Sequence, residues 1–220
     1  MNSRTPKKRG AAKSPAPKQS RDERKQATRQ EIIDAALRLL ADRGYSGLSL
    51  REVTREAGIS PGAFYRHFES MEALGLVLID ESFGSLREML RTGRAGKVDP
   101  NKITKSSVDV LAKSVAEHPL HWRFIAQERS SGLSVLRYAI STEIRLITAE
   151  LSTDLARFAD LEQWSTDDLH ILAGLFVNSM VSIAESLEGV TDKKELEAIK
   201  VTAEKQLRMI IVGMGGWRSN

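Results

Sequence analysis

The segment LSLREVTREAGISPGAFYRHFESMEAL, residues 48–74, decides the fold of the N-terminal part of the chain. Ser49 and Glu52 stand three residues apart at the start of an apolar pattern, which is the spacing of a capping box. In this motif each side chain binds a backbone amide that the first turn of a helix leaves free. Gly58 can enter the left-handed turn that commonly ends a helix. The pattern therefore predicts a short helix from about residue 50 to residue 57.

A second short helix follows directly in the sequence. Ser60 provides a capping hydroxyl, and Pro61 stands at a first helical position, where no amide hydrogen is needed. We expect this helix to extend to about residue 68 and to bury Phe64 and Phe68. Two short helices joined by a tight glycine turn form a helix-turn-helix, whose second helix can enter the major groove of DNA.

The predicted outer surface of this motif suits DNA, because it offers small residues, hydroxyls and cations. Small residues let the backbone approach the groove, and hydroxyl and imidazole groups can donate to phosphate oxygens. An arginine can bind guanine O6 and N7 together, or a phosphate if it falls short of the bases. An ordinary helical hairpin with a polar face is the alternative explanation. The predicted DNA-binding residues are Arg51, Ser60, Gly62, Ala63, Tyr65, Arg66 and His67.

Residues 57–74, AGISPGAFYRHFESMEAL, resemble the recognition-helix signature of the tetracycline-repressor (TetR) family. Residues 30–53, QEIIDAALRLLADRGYSGLSLREV, resemble the first helix and loop of the same domain. Two positions depart from the family pattern. Many members have a threonine where Ala63 stands, and a lysine that usually contacts a phosphate where Met71 stands. Arg66 or basic residues upstream could replace that phosphate contact.

Two segments beyond the motif resemble one subgroup of this family, the repressors of unsaturated fatty-acid synthesis and fatty-acid desaturation. They are LGLVLIDESFGSLREMLR, residues 74–91, and RFIAQERSSGLSVLRYAISTEI, residues 123–144. The family resemblance implies nine helices, three of them in the DNA-binding domain, and a homodimer. The subgroup resemblance implies that the effector is a long-chain acyl thioester, either acyl-CoA or an acyl carrier protein thioester.

Positive charge is concentrated at the N-terminus. Residues 1–30 contain ten lysines and arginines against two acidic residues, so the rest of the chain, within a total of +4, carries −4. Residues 1–20 lack Leu, Ile, Val, Phe, Trp and Tyr, which predicts a disordered basic arm. Such an arm either solubilises the protein or follows the DNA backbone, and its position beside a helix-turn-helix favours the second role. The chain has no cysteine and no apolar signal segment, so we expect a cytoplasmic protein without disulfides.

The rest of the chain shows helical periodicity and no alternating strand pattern. We expect residues 91–99 to form a loop, and Thr166 and Asp192 to cap the last two helices. The predicted helices span residues 22–43, 50–57, 61–68, 71–93, 100–117, 120–129, 133–158, 167–187 and about 193–213.

The predicted helix at residues 167–187 is apolar around nearly its whole circumference, so it must be covered on every side. It looks too short, and too polar at its ends, to span a bilayer. We expect the face with Ala173, Gly174 and Ser182 to pack against a second copy, with the last helix completing a four-helix bundle. Packing within one subunit is the alternative. A helix-turn-helix that reads two half-sites nevertheless requires a dimer to set their spacing.

The sequence gives no sign of an enzyme. His118 and His121 stand three residues apart on either side of a proline, without an acidic partner at zinc-site spacing. His170 lies in the apolar helix, where a surface or core role is more common than catalysis. No nucleophile elbow, phosphate-binding loop or dinucleotide fingerprint is present, so we expect no catalytic residue, metal or cofactor.

Together these observations predict an all-α transcriptional repressor with a basic arm (1–20), a helix-turn-helix domain (21–69) and an effector-binding and dimerisation domain (70–220). Its expected partners are a palindromic DNA operator, a second copy and a small apolar effector, with no membrane. A repressor of another pathway, such as efflux, or an architectural DNA-binding protein without an effector are the alternatives. Arg123 and Arg129 could contact the polar end of an effector. The predicted effector-binding residues are Phe83, Leu86, Leu90, Trp122, Phe124, Ile125, Arg129, Leu175, Phe176 and Met180.

Overall fold

The computed structural model describes residues 20–40, 43–95, 103–130 and 133–219. Within residues 85–95 it describes the backbone and, of the side chains, only that of Arg87. Over these residues the chain forms nine α-helices and no strand, which confirms the predicted all-α class. The predicted basic arm lies outside the described residues, apart from Ser20. The helices are α1 (Arg21–Leu39), α2 (Leu50–Glu56), α3 (Pro61–Phe64), α4 (Met71–Ala95), α5 (Ile103–Glu117), α6 (Pro119–Ser130), α7 (Ser134–Leu155), α8 (Thr166–Leu187) and α9 (Lys193–Met214).

Several predicted helix ends are wrong by a few residues. α1 ends at Leu39, well before residue 43, and α7 ends at Leu155 because Ala159–Leu161 forms a separate 3₁₀ turn. Part of the predicted 91–99 loop is helical, since α4 continues to Ala95. The predicted helix start at Pro100 lies outside the described residues. Helix ends depend on tertiary contacts as well as on local signals, so errors of this size are expected.

The cap of α8 is also one residue away from its predicted position. Ser165, not Thr166, is the N-cap, because its Oγ accepts the amide of Asp168 at 3.2 Å. The predicted Asp192 cap of α9 is confirmed, since its carboxylate accepts the amides of Lys194 and Glu195.

One hydrophobic core joins the first three helices, which form the head, to the helical body. It combines Ile32 and Ile33 of α1, Phe64 of α3, Leu78 of α4 and Phe124 of α6, all fully buried or nearly so. Because these side chains come from both sides of residue 70, the head and the body share their interior. Any displacement of α4 or α6 therefore acts directly on the packing of the head.

The body contains two further apolar clusters around α8. Ile183, Ala184 and Leu187, near the end of α8, pack with Val108 and Leu111 of α5 and with Ala203 and Leu207 in the middle of α9. The first turns of α8 instead pack with Ile210 and Met214, near the end of α9. α8 and α9 therefore run antiparallel, and each leaves one face outside these clusters.

Candidate DNA-binding surface and effector region

The start of α2 has the capping box that its sequence predicts. The amide of Glu52 donates to Ser49 Oγ at 3.4 Å, and the amide of Ser49 donates to Glu52 Oε2 at 3.1 Å. The other oxygen of Glu52 binds Arg43 at 2.9 Å. Hydrogen bonds from Ser49 and Arg43 lower the pKa of Glu52 to about 2. Gly58, in the turn after α2, has a φ of 65°, the left-handed conformation that was predicted for it.

α3 is a single turn that is anchored by its aromatic side chains. Phe64 and Phe68 are buried, and their ring centroids are 5.6 Å apart. The predicted extension of the helix to residue 68 is wrong, because the amides of Arg66 and His67 donate to carbonyls three residues back. This tighter turn directs Tyr65, 59% exposed, and Arg66 to the outside.

Most of the predicted DNA-binding side chains share the exposed surface of α2 and α3, but one prediction is wrong. Ala63 is only 9% exposed, because Ala63 and Phe64 together face the interior of this one-turn helix. Gly62 takes the outward position instead, with no atom within 4 Å of where a Cβ would stand. Ser60 is exposed, but its Oγ accepts the amide of Ala63 at 3.2 Å as the helix cap. The remaining predicted residues are Arg51, Tyr65 and Arg66, which are exposed, and His67, which is half-buried.

The first helix adds cations to this surface that the sequence analysis did not assign to it. The guanidinium of Arg29 lies 4.4 Å from the centre of the Phe68 ring and donates to the backbone oxygen of His67 at 3.3 Å. Lys25, one turn earlier, is exposed and close enough to act on the charge of His67. The spacing of Arg21, Lys25 and Arg29, four residues apart along one helix face, was the signal that could have found them.

A buried carboxylate connects the head to the body. Glu128 of α6, 1% exposed, accepts the backbone amide of Tyr45 at 2.7 Å, while its second oxygen is buried without a hydrogen-bond partner. The Tyr45 hydroxyl donates to the backbone oxygen of Met71, the first residue of α4. Burial raises the pKa of Tyr45 above its usual range. Tyr45 therefore connects the loop after α1 to both α4 and α6.

The predicted effector-binding residues divide among three places in the body. Phe83, Phe124 and Ile125 lie in the core that joins head and body. Trp122, Phe176 and Met180 are partly buried against the cluster of α5, α8 and α9. Leu86 and Leu90 lie in α4, and their side chains are outside the described set.

One prediction for the effector region needs correction, and the predicted cations have acidic partners. Leu175 is 52% exposed on the outer face of α8, so it does not join the other apolar residues in the interior. The reason is its helical position, since the adjacent Phe176 and Val177 take the inward side. Arg129 is present at the predicted edge but pairs with Glu185 at 2.6 Å, and Arg123 pairs with Glu188 at 2.6 Å. Both pairs join α6 to α8.

A polar pair lies beside these apolar residues. The Ser82 hydroxyl donates to the backbone oxygen of Leu78 at 2.6 Å and lies 2.8 Å from Nδ1 of His121. Because the hydroxyl proton is used in the first bond, Nδ1 of His121 is the donor in the second. Burial lowers the pKa of His121, which favours the neutral ring. Sequence reasoning missed this pair, because Ser82 and His121 lie on different helices.

α8 and α9 present an apolar outer face, but Ala173 is not part of it: the prediction that it contacts a second copy is wrong, because it is fully buried within the subunit. Ile171 of α8 is 61% exposed, and Met209 and Val212 of α9 are 75% and 70% exposed. Between the two helices runs a groove of about 250 Å³, lined mainly by small and polar residues that include Ser182, Ser186, Ala198, Thr202 and Gln206.

With 22 residues α8 is also long and apolar enough to cross a membrane by length and composition, so the prediction that it is too short is wrong. Core helices of soluble proteins have the same length and composition, and α8 packs between α5, α7 and α9. Among the described residues no three metal-binding side chains come together.

Comparison with known proteins agrees with this architecture. Residues 32–76 match the model of the bacterial regulatory proteins of the tetR family. GusR of Salmonella enterica has a similar structure, with a TM-score of 0.67 and 19% identity over 86% of this chain and 95% of that one. FadR of Bacillus subtilis, in complex with stearoyl-CoA, has a TM-score of 0.66 and 17% identity over 81% and 96%. FadR of Bacillus halodurans, a fatty acid degradation regulator, has a TM-score of 0.62 and 18% identity over 88% and 97%.

The family match identifies the head as a tetR-family domain, and the helical body has the fold of regulators of this kind. Together they support a TetR-family DNA-binding transcriptional regulator. That class consists of transcription factors, with which the prediction of a non-enzyme is consistent.

Proposed function

We propose that the protein is a homodimeric repressor of lipid-metabolism genes that binds a palindromic operator and responds to a long-chain acyl thioester. The observation that supports the effector class is the fold shared with FadR of Bacillus subtilis, whose structure holds stearoyl-CoA. The similarity of residues 74–91 and 123–144 to repressors of unsaturated fatty-acid synthesis agrees with it. These two segments form α4 and the α6–α7 region, the part of the body in contact with the head.

The proposed dimer uses the outer face of α8 and α9. Contiguous exposed apolar side chains of this kind commonly mark an interaction surface. Ile171, Met209 and Val212 are all more than half exposed within one subunit. Packing α8 and α9 against the same helices of a second copy covers both faces through one two-fold contact. The two heads then acquire the fixed spacing that two half-sites require.

The proposed regulation acts through α4 and α6. α6 carries Trp122 and Phe124 among the candidate effector residues, and it also carries Glu128, which binds the Tyr45 amide of the head at 2.7 Å. A ligand that shifts α6 relative to α4 therefore changes the position of Tyr45 and of the head. An effector changes operator affinity only to the extent that it binds the two head positions unequally.

The first experiment identifies the DNA. Purified protein is incubated with a random or genomic DNA library, and the retained fragments are sequenced. We expect a two-fold symmetric site with half-sites about one helical turn apart, or a multiple of it. If the protein retained DNA without any sequence preference, the proposal of a repressor would be wrong and an architectural DNA-binding role would be favoured.

The second experiment tests the effector on that operator. Fluorescence anisotropy measures operator affinity with stearoyl-CoA, oleoyl-CoA and, as a control, a short-chain acyl-CoA. Each buried methylene contributes about 0.8 kcal/mol, so the response should increase with chain length until the site is full. Straight and kinked chains should differ in effect. Equal responses to all three compounds, or none, would contradict the lipid effector and favour a regulator with another apolar ligand.

A pair of variants tests the predicted polar end of the site. Arg129→Gln should weaken the response to stearoyl-CoA if this cation exchanges Glu185 for the anionic group of the ligand. Arg145→Gln is the matched control, because Arg145 is exposed on α7 and binds Thr142 of its own helix at 3.1 Å. Equal responses of the two variants would remove Arg129 from the site but leave the effector class unchanged.

A further inference from the structure

The His67 ring lies among cations at the edge of the DNA-binding surface. It is half-buried, and its Nδ1 is buried without a hydrogen-bond partner. The charged groups that act on it are Lys25 and Arg29 of α1 and Arg66 of its own segment. Among the described residues, no carboxylate of α2 or α4 contributes to its electrostatic environment.

The three cations have different freedom to bind a ligand. The guanidinium of Arg29 is held against the Phe68 ring and the backbone oxygen of His67. Lys25 and Arg66 are exposed, and they approach His67 from two different elements. Arg29 also interacts electrostatically with the carboxylate of Glu81 on α4, so the anion site beside the imidazole is formed by Lys25 and Arg66. On a DNA-binding surface the anion available is a backbone phosphate.

We propose that Lys25 and Arg66 hold one DNA phosphate against the ring of His67, and that His67 takes up a proton when DNA binds. This inference rests on the DNA-binding function alone and is independent of the effector. It adds Lys25, a residue of α1, to the contact surface and makes operator affinity depend on pH.

The reason is the reversal of charge around the imidazole. In the free protein, burial and then the cations Lys25, Arg66 and Arg29 lower the pKa of His67 from its ordinary value of 6.5, so the ring is neutral at pH 7. A phosphate adds negative charge at the same place and raises the pKa in the complex. The protonated ring then makes a charge-assisted hydrogen bond to the phosphate.

The sign of the pH effect follows from this difference. The pKa of His67 is higher in the complex than in the free protein. Between these two pKa values the complex therefore binds more protons than the free protein and free DNA do together. Operator affinity therefore rises as the pH falls through that window and is lost as the pH rises through the pKa of the complex. Uptake of one proton by each head changes operator affinity by at most about tenfold per pH unit and per head.

The test measures operator affinity from about pH 5.5 to about pH 8 at constant salt, in the range where histidines titrate. Titration calorimetry in two buffers of different ionisation enthalpy counts the protons taken up. His67→Gln keeps a hydrogen-bonding side chain but cannot titrate, so its affinity should vary much less with pH. His118→Gln is the control, because it removes an exposed histidine outside the recognition segment and should keep the wild-type pH profile.

A second variant tests the phosphate contact separately from the titration. Lys25→Gln should reduce the slope of log affinity against log salt by about 0.9 for one phosphate contact on duplex DNA. It should also reduce proton uptake, because Lys25 no longer lowers the pKa of free His67. Lys193→Gln, at the start of α9 in the body, is the matched control and should change neither quantity.

The outcomes separate this inference from the function itself. Wild-type affinity that varies with pH no more than that of His67→Gln overturns proton uptake. An unchanged salt slope in Lys25→Gln overturns the phosphate contact. If the protein binds no DNA at any pH, the proposed function as a DNA-binding regulator is wrong, and this inference is wrong with it.

Discussion

Gly75 of α4 stands where the head, α4 and α7 meet, and it leaves no room for a larger residue. A Cβ at this position would lie 2.9 Å from Cδ2 of Leu136, 3.0 Å from Cζ of Tyr45 and 3.2 Å from Cε1 of the same ring. Both neighbours are buried, and the hydroxyl of Tyr45 is bound to the backbone oxygen of Met71. Gly75→Ala must therefore displace side chains that have little space to move.

The magnitude follows from two opposing effects. Replacing a glycine inside a helix by alanine contributes about 1 kcal/mol through helix propensity alone. Forcing one extra methyl group into a packed core costs about 1–3 kcal/mol. We expect Gly75→Ala to range from nearly neutral to destabilising by about 2 kcal/mol, the difference of those two terms.

Gly84 provides a control on the same helix. A Cβ at Gly84 would meet no atom within 4 Å, so Gly84→Ala should only gain helix propensity and be stabilised. The propensity term is common to both variants, so their difference isolates the steric cost of about 1–3 kcal/mol. For a chain of this size, about 2–4 °C of melting temperature corresponds to each kcal/mol, so the two variants should differ by about 2–12 °C.

The assay is thermal unfolding by circular dichroism at one fixed protein concentration, since a dimer melts at a concentration-dependent temperature. Operator affinity is measured in parallel. Because Tyr45 connects the head to α4 and α6, Gly75→Ala should also change operator affinity, whereas Gly84→Ala should leave it unchanged. Equal melting temperatures for the two variants would refute the close packing at Gly75 and with it the tight junction between head and body.

Three further outcomes test the DNA-binding surface, the acid stability and the dimer. Arg66→Ala should relax base preference at one position per half-site, by about 1–3 kcal/mol for a bidentate contact, whereas Tyr65→Phe should weaken all sequences alike; full affinity of both in a binding titration would contradict the proposed orientation. The pKa of Glu52 falls from about 4.5 to about 2 on folding, so its stabilisation is present above pH 4.5 and is lost as the pH falls towards 2. Acid unfolding of Glu52→Gln should therefore depend less on pH in that range, and identical acid profiles would argue against the hydrogen bonds of Glu52 to Ser49 and Arg43. Gly174→Glu should place an unpaired charge in the proposed contact between the α8 and α9 helices of two subunits. The variant should then be a monomer by sedimentation and lose operator binding, and a variant that stays dimeric would place the interface elsewhere.

Local signals in the sequence determined the helix-turn-helix. The capping box of Ser49 and Glu52, the left-handed Gly58 and the Ser60 cap each involve residues within a few positions of one another. Such interactions form in the same way wherever the segment is placed, so a linear reading predicts them. The burial of Phe64 is likewise implied by the apolar spacing.

Tertiary packing alone decided how the surfaces are assembled. Ala63 is buried because it faces the interior together with Phe64, and no local signal specifies which side of this four-residue helix is covered. Arg29 lies against Phe68, 39 positions away, and Glu128 binds the amide of Tyr45, 83 positions away. Contacts across such separations depend on how the helices cross and leave no periodic trace in the sequence.

The effector region shows the same limit most clearly. Apolar spacing identified Phe124, Phe176 and Leu175 as equivalent candidates. The structure instead places Phe124 in the core shared with the head, Phe176 beside α9 and Leu175 on the outer surface. An apolar helix that packs on several sides carries no sequence mark that distinguishes an interior face from an interface, because both bury the same chemical groups. The sequence alone determined that these helices must be covered, and only the tertiary structure decided which face each partner covers.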